Sequence, residues 1–256
     1  MSNRYAILIE SYNVYGQHLI PGAKLDVEHL RSFLTSNLGG AWESNEIIDL
    51  HKPQKGEVKD LLCEHEGAYI FLAFSGHGYE AVSSSGEHTP KICLNEAEQD
   101  VSVDEIRPLR FGTAIFDSCR GLEYTGRFAL ANESVAMDSA EFCINKAGAA
   151  DYLIHRRVAC RELFNQDLQR KATKAAVRMF SCSSNESAGE SATAGGYYTT
   201  FLLASAAEWE RRASCPNIYS TLDAHFDACK KMYARHPQQH PQYAPTWQAY
   251  PFAVNV

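Results

Sequence analysis

Apolar residues in this chain fall into short, dense runs separated by amphipathic stretches. Residues 5–10 (YAILIE), 46–50 (EIIDL), 68–74 (AYIFLAF), 111–117 (FGTAIFD) and 175–182 (AAVRMFSC) read as strands. Runs this short and apolar, bounded by glycine or polar clusters, suit strands buried on both faces, as in a parallel sheet. Between them the period changes. From Ala23 onward, Val27, Leu30, Phe33 and Leu34 share a face while Lys24, Glu28 and Arg31 fall outside it. That is an amphipathic helix, which Gly39–Gly40 would end. Residues 57–66 repeat the pattern with Val58, Leu61 and Leu62 inward. Strands alternating with helices predict an α/β fold with right-handed crossovers and helices on both faces of the sheet.

The second half is less regular. Residues 79–90 (YEAVSSSGEHTP) show no periodicity and predict a surface loop, followed by a short hairpin strand in KICLNE and a short helix over 101–108. Residues 122–174 are charged and helix-prone, and read as a regulatory insert containing at least one helix. Residues 183–198 (SSNESAGESATAGGYY) form a long loop of small polar residues, a kind that is usually functional or disordered. Helices are predicted at 199–212 and 217–233, and the proline-rich tail 236–251 must be extended. No internal repeat or second apolar unit stands out, so one domain over 1–256 is expected.

Composition narrows the function classes. The chain has 256 residues, 45% hydrophobic and 21% charged, which suits a globular protein with a sizeable core. A net charge of -7 argues against a nucleic-acid partner. No apolar run approaches the roughly 20 residues of a bilayer span. The apolar part of MSNRYAILIE is too short for a signal peptide, so a cytoplasmic protein without membrane contact is expected. The eight cysteines include no CxxC pair, which favours mostly buried, reduced thiols over a disulfide framework or a zinc site.

Two strands stop abruptly at reactive clusters. FLAFSGHG delivers His77 and TAIFDSCRG delivers Cys119. In an open α/β sheet, ligands bind just outside the carboxyl ends of the strands, so both residues are expected on one edge. A thiol beside an imidazole is the simplest activated nucleophile a protein can make. Either residue alone would more simply be a loop histidine or a buried thiol; the pair in these two contexts points to catalysis.

SGHG followed by DSCRG resembles the caspase-like cysteine peptidases, including metacaspases and their bacterial relatives, whose Cys-Arg-Gly signature has its histidine about 50 residues upstream. The resemblance covers nearly the whole chain. LIPGAKLDVEHLRSFL stands where the family has a Leu-x-Gly-Ala/Cys-x-x-Asp helix start. GGYYTTFLLASA is similar to its Gly-Gly strand-to-helix segment, and QQHPQYAPTWQAYPF to the Gln-x-Pro tail of bacterial members. The fold it implies is a three-layer sandwich, a mostly parallel central sheet flanked by helices.

The same resemblance implies a cysteine endopeptidase acting on protein substrates. Cys119 would be the nucleophile, His77 its proton partner, and the backbone N–H groups of Gly78 and Cys119 the oxyanion hole. Caspases proper carry glutamine two residues before the nucleophile, where this chain has Asp117, and an arginine near the first helix, where LIPGA offers only apolar residues. The pocket instead resembles that of metacaspases, which cleave after arginine or lysine, with Asp26, Ser75 and Asp117 as its polar groups. Calcium, often needed by metacaspases, is possible but not favoured: Glu87, Glu96, Glu98, Asp100, Asp104 and Glu105 lack the dense acidic run such a site wants. No other cofactor is implied. Many relatives are zymogens cut after the cysteine strand, some by themselves, and serve antiviral defence or regulated death. Arg156, Arg157, Arg161, Arg170 and Lys171 would be processing sites, for the chain itself or for an upstream protease or regulator. Two other readings compete. A catalytically idle caspase-like scaffold would be free to lose the dyad and the pocket acids, yet all are present. A nucleotide-binding domain would want a glycine-rich loop where SYNVYG stands.

Overall fold

The computed structural model describes residues 4–14, 18–95, 100–106, 110–123, 150–171 and 175–256. The alternation read from the first seventy residues is realised as β1 (Arg4–Ser11), α1 (Gly22–Thr35), β2 (Ile47–His51), α2 (Lys55–Glu64) and β3 (Tyr69–Gly76). Successive side chains of a strand face opposite ways, and here both faces are covered. Ala6 and Leu8 of β1 join one apolar layer, while Ile7 and Ile9 join the other. Helix α1 adds Val27, Leu30, Phe33 and Leu34 to the first layer, and α2 adds Val58 to the second. The helix α1 stops at Thr35; Gly39–Gly40 lie in the turn beyond it.

The stretch after β3 differs from its predicted loop. β4 (Gly78–Val82) and β5 (His88–Cys93) form an antiparallel hairpin, extended by β6 (Asp100–Ser102). Strand formation here depends on cross-strand partners more than on the residues themselves, which is why turn-rich YEAVSSSGEHTP gave no periodic signal. Of the helix predicted at 101–108, residues 101–102 belong to β6, 103–106 form α3 (Val103–Ile106), and 107–108 lie outside the described residues. Then come β7 (Gly112–Asp117) and β8 (Leu122–Glu123), the latter closing a small four-stranded sheet beside β4.

Of the insert, residues 124–149 and 172–174 lie outside the described residues; Leu122–Glu123 is β8, and nearly all the rest is α4 (Ala150–Arg170). This helix is docked on the core. Phe164 packs its ring edge-on to Trp42, with centroids 5.8 Å apart, and to Tyr69 at 6.4 Å. Arg157 donates to the carbonyls of Thr35 (2.7 Å) and Trp42 (3.0 Å). Arg161 donates to the carbonyl of Ala41 and takes Glu46 bidentately, and Arg156 pairs with Glu210 at 3.0 Å. The sequence offers these three arginines as processing sites, but their bonds lie inside a packed helix, and a cleft that binds extended peptide reaches them only if the helix unfolds. Arg170 ends the helix, and Lys171, just beyond it, pairs with Asp167.

β9 (Val177–Phe180) follows, then the small hairpin β10 (Glu190–Ser191) and β11 (Gly195–Gly196), and α5 (Tyr197–Arg212). Residues 217–220, expected to be helical, are β12 (Asn217–Ser220), paired with the terminal strand β14 (Pro251–Asn255); α6 (Thr221–Arg235) starts only after them. A Ser220/Asp223 capping box sets that start. β13 (Gln242–Ala244) runs antiparallel to β9. The central sheet therefore reads β2-β1-β3-β7-β9-β13, parallel except for that last edge strand. Helices α1, α4, α5 and α6 contribute to one apolar layer, α2 and α3 to the other. No helix among the described residues is long and apolar enough to cross a membrane.

Phe164→Ala is expected to lower unfolding free energy by about 3–5 kcal/mol, because it opens a cavity under Trp42 and Tyr69. Urea denaturation measures this. A loss within about 0.5 kcal/mol, typical of an exposed position, would show that α4 is not part of the core.

Candidate active site

β3 and β7 are neighbouring parallel strands with Ser75 opposite Asp117. His77 and Cys119 each stand two residues past that matched pair. Adjacent strands are about 4.8 Å apart, so both side chains leave the sheet at one edge. Gly78 is required there by close approach: a Cβ on it would stand 2.7 Å from Ser118 Oγ and 2.9 Å from the carbonyl oxygen of Cys119. Only glycine lets the histidine turn and the cysteine turn meet this closely.

His77 Nε2 lies 2.7 Å from the carbonyl oxygen of His18. A carbonyl only accepts, so Nε2 carries the proton and Nδ1 keeps the lone pair. This orienting group comes from the loop after β1, and nothing in the sequence distinguishes it. Burial holds the His77 pKa below its usual value, against the opposing pull of the His18 carbonyl. Burial pushes the Cys119 thiol up, although the Ala188 N–H favours its thiolate. At neutral pH both partners rest uncharged, as thiol and imidazole. Ala188 lies against the half-buried sulfur: its N–H donates to Sγ at 3.3 Å, and Sγ lies 3.7 Å from its carbonyl oxygen.

The pocket residues come from four elements. Asp26 of α1 is buried, with Oδ2 accepting from Ser75 Oγ at 2.6 Å and Oδ1 accepting from the Gly196 N–H at 2.8 Å. Asp117 Oδ2 accepts from the backbone N–H (3.0 Å) and hydroxyl (2.8 Å) of Thr199. Both carboxylates flank Gly196, where a Cβ would stand 2.9 Å from Asp26 Oδ2 and collide with Asp117. Opposite Gly196 in the β10–β11 hairpin is Glu190. Nothing in the pattern of the small-polar loop 183–198 singles out Glu190, although that loop read as functional or disordered. Burial raises all three acids above the usual carboxylate range, with Asp117 adding to the effect on Asp26 and Glu190, which reaches about 7. Carboxylates desolvated beside one another are stabilised by protons or by a bound cation.

Three of the acids considered for calcium are engaged elsewhere. Asp100 accepts from the Tyr79 hydroxyl, Asp104 pairs with Arg178, and Glu105 pairs with Lys55 and Lys59. Glu96 and Glu98 lie outside the described residues. No group of three or more residues that could hold a metal ion is found among the described residues.

The sequence matches the Caspase domain family over residues 3–249, and no curated protein matches it. With that match over nearly its whole length, and with a parallel sheet presenting histidine and cysteine at one edge, the chain belongs to the caspase family of cysteine peptidase domains.

Proposed function

We propose that this protein is an endopeptidase that cleaves protein substrates after arginine or lysine, using Cys119 and His77. The observation that carries the reading is the cluster of Asp26, Asp117 and Glu190 around Ser75 and Gly196, at the sheet edge that bears Cys119. The charges acting most strongly on Asp26 are those of Asp117 and Glu190, both of like sign. A guanidinium or ammonium group relieves that repulsion through charge-assisted hydrogen bonds, whereas an acidic or apolar side chain does not.

In this reading the Cys119 sulfur attacks the scissile carbonyl carbon as its proton passes to His77 Nδ1. Backbone N–H groups of Gly78 and Cys119 receive the developing oxyanion. The tetrahedral intermediate collapses to a thioester, and the proton on His77 leaves with the amine product. Water, deprotonated by His77, then attacks the thioester, releases the carboxylate product and restores the thiol. Nε2 stays bonded to the His18 carbonyl throughout, so the imidazole need not turn. Substrate must displace Ala188 from Sγ, which gives the resting enzyme a partly covered nucleophile. Regulation by proteolysis belongs to the same reading. Arg170 and Lys171, where α4 ends, suit cleavage better than Arg156, Arg157 and Arg161 inside it.

Fluorogenic peptides ending in arginine or lysine are expected to be turned over by wild type, without calcium, and not by Cys119→Ala. Turnover of aspartate or leucine peptides instead would discard the roles given to Asp26 and Asp117. Asp26→Asn and Asp117→Asn should each reduce kcat/KM for arginine peptides by about 10–100-fold, the size of one charged hydrogen bond. Two pH effects should separate. His77 must be neutral to accept a proton, so the acid limb of kcat/KM lies below pH 6.5. Glu190 becomes charged as pH rises through about 7, so KM for basic peptides should fall across that range. Glu190→Gln should flatten the KM profile; a profile unchanged in this variant would remove Glu190 from the pocket.

A further inference from the structure

We infer that Gln239, in the tail between α6 and β13, is a positioning residue that fixes the loop lying against Cys119 and carrying Glu190. The inference rests on the peptidase reading of those two residues. Gln239 is buried, and both ends of its amide are used. Its Oε1 accepts from the Gly189 N–H at 3.0 Å, and its Nε2 donates to the Ser181 carbonyl at 2.9 Å. One side chain therefore joins the two ends of the 181–189 loop.

Each end touches the site. Ser181 directly follows β9, and its hydroxyl both accepts from the Ser118 N–H and donates to the Ser118 carbonyl, each at 3.2 Å. Ser118 immediately precedes the nucleophile. Gly189 lies between Ala188, whose backbone lies against Sγ, and Glu190, the pocket acid. Its carbonyl accepts from the Tyr197 N–H at 3.0 Å, where α5 begins. Outside this, a second clasp joins the same loop to the tail: the Glu186 carboxylate accepts from the backbone N–H of Ser183 (3.0 Å) and of His240 (2.8 Å), and His240 Nδ1 lies 2.7 Å from it. The His240 side chain is exposed, and exposed pairs contribute little. Loss of the Gln239 amide instead leaves the half-buried Gly189 N–H and the buried Ser181 carbonyl without their partner, which is the costlier event. Gln239 is thus the tie through which the tail holds the loop against the sulfur and the pocket acid together.

The test compares wild type with Gln239→Ala and Gln239→Met, the latter filling the space without hydrogen bonds. Two readouts are taken: kcat and KM on an arginine peptide, and the rate of Cys119 alkylation by iodoacetamide, followed by mass spectrometry of its peptide. Both variants should alkylate faster at Cys119, by about fivefold or more, as the loop against the sulfur loosens, and lose about tenfold or more in kcat/KM, the effect of one buried and one half-buried group left without a partner. The loss should be shared between kcat and KM, unlike Glu190→Gln, which moves KM. Should the Met variant behave as wild type in both assays, packing alone would account for Gln239 and the inference falls. It falls equally if the only change is a lower melting temperature with kcat, KM and alkylation rate unaltered. If wild type turns over no peptide yet both variants alkylate faster, the peptidase reading fails and the positioning role stands.

Discussion

Parallel pairing of β3 with β7 sets Ser75 beside Asp117, and a slip of one residue would turn every side chain of one strand to the opposite face. Burial of both faces forbids that slip. Phe71 and Ala73 belong to one apolar layer, and Ile70, Leu72 and Phe74 to the other. The same constraint that builds the core thus delivers histidine and cysteine to one edge, two residues beyond a matched pair. Gly78 allows the final approach, because any side chain there would meet Ser118 and the Cys119 carbonyl.

Beside this edge the protein gathers like charges and withholds water from them. Asp26, Asp117 and Glu190 are all raised by burial, and fixed donors oppose the rise: Ser75 and the Gly196 N–H at Asp26, the Thr199 N–H and hydroxyl at Asp117, and the Gly22 N–H at Glu190. The nucleophile receives the opposite treatment. Its thiol and the imidazole rest neutral; in the proposed reading, charge appears only when substrate displaces Ala188 and the proton moves. On that reading, a site acidic in its pocket and neutral at its dyad would separate recognition from chemistry.

Cations serve structure on the far side of the molecule. Arg157 and Arg161 bind carbonyls of the segment after α1 and the carboxylate of Glu46, fastening α4 to the core. In sequence these arginines look like exposed basic sites within an insert. They differ from such sites because Phe164 brings the helix down onto Trp42 and Tyr69, where backbone carbonyls await a planar donor.

The order of strands and helices, His77 and Cys119 at strand ends, and the acids Asp26 and Asp117 were legible in the sequence. They are written in local patterns: apolar runs of strand length, helical periodicity and the SGHG and DSCRG clusters, and the family resemblance adds the pocket. The β4–β5 hairpin and strand β12 were not legible, because each exists through a partner strand distant in sequence. Nor were the His18 carbonyl, the Ala188 contact and the third acid Glu190; the Gln-x-Pro resemblance marked the segment of Gln239 but not the loop it ties. A backbone carbonyl has no residue identity, and a glutamate or glutamine acquires a role only when folding carries it to the site and removes its water. The chain's local chemistry determined which groups could react; tertiary packing decided how they are oriented, covered and charged.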